Sequence, residues 1–425
     1  MPASTTSAVA QEPGGIPGET LPLVRWPFVL VYALAHIGLW MALLAPLLMG
    51  LALRLRAIDP LHATASLALV TGAGALLATL SNPFFGYLSD RTTSRFGMRR
   101  PWLLFGAMAG AVGLMLIALA TSVVTVLIGW CIAQVAYNAM LAMLSAILPD
   151  QVPRQQRGTI SGVLGVCTPL GMVGGTYLMQ ATTDSPLEMF LLPAAAAIAG
   201  AVLLAALLPD RRLTAQQRPP PYRLVEFLGR FWVGPLRFRD FAWTWASRFL
   251  LFVSIATLLS FQPFYLIDQL GQRAEDVPHL IFLATLVQSA AVIVFGIGSG
   301  RLSDARGERK RFVFGAALVY ALAMLVIAFA SSVGQFLAGV ALAGVAQAVY
   351  VAVGLALAAD VLPDRTADAG KDLGVFNIAS ALPQSLAPAL AAGILSAGGS
   401  YTMLFVGAAV FAALSAWAVR QVRVR

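Results

Sequence analysis

The apolar residues of this chain are gathered into twelve long runs, near residues 28–53, 65–88, 101–121, 123–148, 159–180, 188–208, 241–267, 279–300, 312–331, 333–358, 373–396 and 401–419. An α-helix needs about 20 residues to cross roughly 30 Å of hydrocarbon, and these runs are of that length. Backbone amides in hydrocarbon find no water, so a segment this long can only be helical there. Just 11% of the residues are charged, against about 25% in an ordinary soluble domain. The expected fold is an all-α, multi-pass membrane protein.

The balance of 28 Lys and Arg against 19 Asp and Glu gives a net charge of +9, and its placement matters more than its size. Arg54, Arg56 and Arg273 lie in odd-numbered connections and Arg248 lies inside the seventh run. All the other basic residues fall in the termini and the even-numbered connections. Basic residues concentrate on the cytoplasmic side, so both termini are expected there, with the chain in the cytoplasmic membrane. Attraction to an anionic inner leaflet accounts for the charge, and no nucleic-acid partner is needed. Residues 1–26 are small and polar with no basic start, which predicts a disordered cytoplasmic tail and no cleaved signal. Cys131 and Cys167, in separate runs, read as small packing residues.

The chain also repeats itself. A charged hairpin, Gly86 to Pro101, separates the second and third runs, and a shorter copy, Gly300 to Arg311, separates the eighth and ninth. The step from Asp90 to Asp304 is 214 residues, and the same step carries Leu148-Pro149-Asp150 onto Leu362-Pro363-Asp364 and Pro169 onto Pro383. Landmarks in one register predict two copies of one unit. The expected domains are 27–208 and 241–420, joined by a cytoplasmic linker over 209–240 and followed by a short tail, 421–425. Pro219-Pro220-Pro221 marks that linker, and Phe227, Phe231 and Trp232 predict a short amphipathic helix on the membrane surface within it.

Several polar residues interrupt the apolar runs. Asp90 closes the second run, at the negative end of a helix dipole, so it needs stabilising either by nearby arginines or by a helix N-terminus in the other half. His36 and Trp40 are four apart and share a face. Gln134, Tyr137, Asn138 and Ser145 form a polar stripe in the fourth run, echoed by Gln347 and Tyr350 in the tenth. Polar groups are costly against lipid, so these faces are expected to turn toward the interior or a watery cavity. Arg248 either snorkels back to the headgroups or faces that cavity. Gly106 and Gly110 have the small-xxx-small spacing of close helix packing. Leu148-Pro149-Asp150 reads as the start of a turn that ends at Arg157-Gly158.

Together, the hairpin, the twelve spans, the duplication and the basic central connection resemble the major facilitator superfamily of transporters. Gly86, Asp90, Arg91, Gly97, Arg99 and Arg100 match that family's signature between helices 2 and 3. Gly300, Asp304, Gly307 and Arg309 match its echo between helices 8 and 9. The longer form, Asn82-Pro83 through Pro101-Trp102, is similar to the sucrose-transporter and glycoside-pentoside-hexuronide branch. The resemblance implies two pseudo-symmetric six-helix bundles of inverted three-helix repeats, rocking about a site near the midplane. It also implies a cavity lined by helices 1, 4, 7 and 10, hairpins acting as gating latches, and a monomer. Symporters of that branch commonly keep carboxylates within their helices, yet none of the 19 acidic residues here lies near mid-membrane.

These readings predict a secondary transporter for a small polar organic solute, a sugar or glycoside by the branch resemblance. The amide, hydroxyl and aromatic groups a sugar needs would come from Trp40, Gln134, Tyr137, Asn138, Trp243, Arg248, Gln347, Tyr350 and Asn377. His36, the one imidazole inside a span, is the candidate for proton coupling. The alternative is a proton-driven efflux antiporter for amphipathic compounds, since Thr168-Pro169 among the glycines of the fifth run faintly matches a motif of drug antiporters. With no HExxH, no GxSxG and no acid pair at depth, the sequence predicts no enzyme, no metal site and no cofactor.

Overall fold

The computed structural model describes residues 22–213, 238–306, 308–361 and 369–423. Among them are twelve helices long and apolar enough to span a membrane. In order they are α1 (Trp26–Ile58), α2 (Ala63–Ser89), α3 (Arg100–Ala118), α4 (Val123–Gln151), α5 (Arg154–Ala181), α6 (Pro186–Leu207), α7 (Arg239–Gln269), α8 (Val277–Arg306), α9 (Arg309–Ala328), α10 (Val333–Asp360), α11 (Ala369–Ser396) and α12 (Tyr401–Gln421). Each overlaps one apolar run. The expected surface helix around Phe227, Phe231 and Trp232, and most of the expected N-terminal tail, lie outside the described residues.

Local chemistry sets the helix ends. Ser122, Ser185, Ser332 and Ser400 each accept a hydrogen bond from the backbone N–H three residues on, capping α4, α6, α10 and α12. A serine there satisfies a donor that the first turn of a helix leaves free. Two prolines are absorbed by wider turns. Pro46 opens a five-residue π-turn in α1, and Pro263 precedes one at Tyr265–Gln269 in α7, so both helices bend near one end.

Pro149 departs from expectation. It lies inside the last turns of α4, which runs on to Gln151, and the break falls at Val152-Pro153. Near a helix end its missing N–H costs a single bond. Arg157, in the first turns of α5, donates to the Val152 and Pro149 carbonyls at 3.0 and 3.1 Å, which would otherwise be unsatisfied.

The two halves pack by one scheme. In the first, α1 lies against α5 and α6, α2 against α4, and α3 against α4 and α6; in the second, α7 lies against α11 and α12, α8 against α10, and α9 against α10 and α12. Small residues permit the close approaches. A Cβ added at Gly106 or Gly113 of α3 would fall 2.6 Å from the backbone of α4, the packing expected of that spacing. The outer surface carries exposed large apolar residues such as Leu76, Leu80, Leu203, Leu322 and Trp417. Water would penalise such a surface, and acyl chains would not.

Between the halves, α2 meets α11 and α5 meets α8. The repeat maps one of these contacts onto the other. One end of the molecule carries the described ends of the chain, at residues 22–25 and 422–423, and is called the terminal face here; the other is the far face.

Candidate functional site

The far face is closed. Arg56, near the end of α1, pairs with Asp268 of α7 at 2.8 Å, and the Tyr401 hydroxyl of α12 donates to the same carboxylate at 2.8 Å. Gln180 of α5 and His279 of α8 hydrogen-bond at 3.1 Å, and the Tyr177 and Phe282 rings meet beside them at a tilt of 59° with centroids 5.7 Å apart. Arg54 donates to the Ile117 and Ala120 carbonyls at the end of α3. Two of the arginines that broke the charge pattern are therefore structural, and one of them clamps the bundles together.

At the terminal face the described parts of the same helix surfaces show open space. Gly158 and Gly162 precede Thr176 and Gln180 by five helical turns, so they share the α5 face that touches α8. Among the described residues no atom lies within 4 Å of where a Cβ would sit on Gly158, Gly162 or Gly165, nor on Gly86 of α2 or Gly296 of α8. Asp90 likewise follows Gly72 by five turns, and Gly72 abuts the Ser385 carbonyl of α11.

Here the charged hairpin is a clasp within the first bundle. Arg99 is 6% exposed. It pairs with Asp90 at 2.7 Å and Asp150 at 2.9 Å, and it bonds the Ser89 hydroxyl. One guanidinium thus ties together the ends of α2 and α4. Asp210, just past α6, accepts the backbone N–H groups of Arg99 and Arg100 at 2.8 Å each, placing a carboxylate at the positive N-terminus of α3. Arg100 donates to the Leu208 carbonyl. Gly97 has φ of +102°, and a Cβ there would strike the Asp210 carboxylate. Arg91 lies 4.8 Å over the Tyr87 ring. Of the two ways to stabilise Asp90, this conformation uses the nearby arginine. In the second copy, Gly300 ends up in α8 and Arg309 opens α9, while the Asp304 side chain lies outside the described part.

The polar residues of the spans divide into two groups. α1 is gripped on three sides: the Tyr32 hydroxyl donates to the Leu144 carbonyl of α4, Gly38 abuts the Ala196 carbonyl of α6, and Gly171 and Gly175 of α5 press on residues 37–45. His36 and Trp40 take the side left between α4 and α5. His36 is 8% exposed, with Nδ1 3.1 Å from the Tyr32 carbonyl. Asn138 donates to the side-chain and backbone oxygens of Gln134 at 3.2 and 2.9 Å. Both are buried on the α4 face that also carries exposed Ser145.

Four expected solute contacts are engaged elsewhere. Tyr137 is fully buried against Gly110 of α3; three residues on from Gln134 it points 60° away, into the trough the α3 glycines leave. Tyr350 shares a 2.6 Å hydrogen bond with Ser247 of α7, which also bonds Ser415 of α12, so it knits three helices of its own bundle. The Gln347 oxygen accepts from Gln288 of α8 at 2.9 Å. Trp243 packs edge-on against Trp417 of α12, which is 52% exposed, at the outer rim. The Asn377 side chain lies outside the described part.

Arg248 does not snorkel. It is 8% exposed, and its Nε donates to the Ser380 hydroxyl of α11 at 2.6 Å. Its guanidinium carbon sits 4.9 and 4.7 Å from the centroids of Phe252 and Phe376. Among the described residues no carboxylate pairs with it, and Nη1 is buried without a partner.

A family model described as Major Facilitator Superfamily matches residues 28–297 and 274–424. The chain belongs to this superfamily. Solved members share the fold. A variant of the nucleoside transporter NupG is 14% identical with a TM-score of 0.75, covering 93% of this chain and 99% of that one. The human organic anion transporter MFSD10 is 21% identical with a TM-score of 0.65, covering 93% and 100%. A bacterial homologue of the human lysosomal transporter Spinster, in an inward-facing and occupied conformation, is 14% identical with a TM-score of 0.68, covering 95% and 98%. Membership makes this chain a multi-pass membrane transporter, and at such identities the likeness extends to the fold alone.

Residues that sequence reasoning left out of the site are Asp150, Asp210, Asp268, Tyr401, Phe252, Phe376 and Ser380. Asp150 carried a signal, since Leu148-Pro149-Asp150 recurs in the second half; the others gave none, because their partners are distant in sequence.

Proposed function

We propose that this protein is a secondary active carrier of a small polar organic solute, working by alternating access. One observation supports the reading: α5 and α8 touch at the far face through Gln180–His279 and Tyr177–Phe282, while among the described residues nothing packs on Gly158 and Gly162 at the terminal end of α5. A rocking of one bundle against the other would exchange the two arrangements, with His36, Trp40, Gln134 and Asn138 between them. The placement of basic residues supports assigning the terminal face to the cytoplasm and this conformation to an inward-open state in the cytoplasmic membrane; a monomer is what the family resemblance implies. The Spinster homologues named as inward-facing have the same fold.

The sugar or glycoside reading rests on the branch resemblance of the hairpin. It draws on Trp40, Gln134 and Asn138, since Tyr137, Tyr350, Gln347 and Trp243 have neighbours within their own bundles. Neighbours named for nucleosides and organic anions widen the field. Proton coupling through His36 belongs to the proposal because the imidazole lies on the side of α1 between α4 and α5, beside Trp40; His36→Gln should then abolish accumulation driven by a pH gradient while leaving exchange intact.

Spin labels at the terminal ends of α5 and α8 test the carrier reading. Two distance populations, with the shorter one growing on solute addition, are expected. A single long distance under every condition, with no solute flux into proteoliposomes, would end it.

A further inference from the structure

A buried arginine with one unpartnered nitrogen is an anomaly that needs a cause. Desolvating a guanidinium is costly, and proteins normally offset the cost with a carboxylate or a full set of acceptors. Among the described residues Arg248 has neither: Nε has Ser380, two phenyl rings lie against the guanidinium, and Nη1 has no partner. Its position on α7 is defined by its neighbours. Ser247 points to α10 and α12 through Tyr350 and Ser415, whereas Val253 and Ala256 pack on Ala387 of α11. Arg248 falls between these directions, on the side of α7 corresponding to that which His36 takes on α1.

We propose that Arg248 is the anion subsite of the carrier and that the transported solute bears an oxyanion, a carboxylate or phosphate, which Nη1 binds. The inference rests on the carrier reading and names the solute class. A charge-assisted bond to an oxyanion is about twice as strong as a neutral one. The rings of Phe252 and Phe376 hold the guanidinium plane by cation–π contact and leave its edge for the ligand. Ser380 fixes the fork from the α11 side, so the anion would bridge two helices that move together. No covalent chemistry is involved.

Matched solutes differing in charge provide the test: glucose against glucuronate and glucose 6-phosphate, and nicotinamide against nicotinate, measured by thermal shift on protein purified in maltoside. Anionic members should protect the wild type, and Arg248→Gln should weaken that protection by about 10- to 100-fold, the range for losing a charged hydrogen bond. Arg248→Lys, which keeps the charge, should retain part of it and controls for folding. Equal protection by neutral members, no protection by any anion up to millimolar concentration, or unchanged affinity in Arg248→Gln overturns the proposal. So does protection by phosphatidylglycerol in the micelle without any soluble anion, since the arginine would then be a lipid contact. Anion binding without flux into proteoliposomes would leave the subsite standing and remove the carrier reading. Flux of neutral solutes unchanged by Arg248→Gln would do the reverse.

Discussion

A single side chain can hold several helix ends when it carries more donors than its own helix can use. Arg99 spends its fork on Asp90, Asp150 and Ser89, and lysine, with a point charge, could not reach the three in one plane. Because both carboxylates are more than a third exposed, solvent screens part of the loss. Arg99→Gln should therefore cost about 2 kcal/mol, the scale of hydrogen bonds to charged groups, seen as a lower melting temperature of the purified protein. Gly97→Ala should destabilise comparably, by strain at a positive φ of about 1–3 kcal/mol and by displacing Asp210. An unchanged melting temperature in Gly97→Ala would mean the clasp is dispensable. The hairpin's Gly97, Arg99 and Arg100 were legible as a signature through the family resemblance. What the signature holds was not, since Asp210 is over 100 residues away and has no motif of its own.

Helices supply the moving surfaces, and their faces are set by which residues are small. Gly158, Gly162 and Gly165 meet no described residue in this conformation, yet they continue the α5 surface that meets α8. If rocking closes the terminal face, this stripe is where α8 lands. Gly162→Leu should be tolerated in the present state and obstruct the closed one by the cost of overpacking, about 1–3 kcal/mol, lowering turnover roughly 5- to 150-fold. Solute exchange in proteoliposomes measures this, with equilibrium binding as the control expected to stay intact. The polar stripe of α4 shows how far helical periodicity reaches. It correctly joined Gln134, Asn138 and Ser145, but Tyr137 lies at the edge of that arc, and the glycines of α3 drew it to their own side.

For the molecule as a whole, the balance between its two states rests on contacts at opposite ends. The Arg56–Asp268 pair is about one-third exposed on each partner, so it is worth at most about 1 kcal/mol. Arg56→Gln should shift the population toward opening of the far face by up to about fivefold, read as a spin-label distance distribution between the ends of α1 and α7. At the other end, Asp90 lies on the α11-facing side of α2. Asp90→Asn should cripple turnover while leaving solute binding measurable; normal turnover would remove the latch proposal and leave Asp90 as an Arg99 partner only.

Twelve spans, two repeats and superfamily membership were determined by sequence alone, because hydrocarbon solvation acts on every residue of a run and duplication preserves spacing. Tertiary structure alone decided what each polar residue meets. Tyr350 and Gln347 bond across a helix boundary and Tyr137 is buried against α3, whereas Gln134 and Asn138 bond each other along α4. Arg248 stands out only once its described neighbours are seen to offer no countercharge. Burial and partnership are properties of pairs brought together by packing, and no single stretch of chain contains both members.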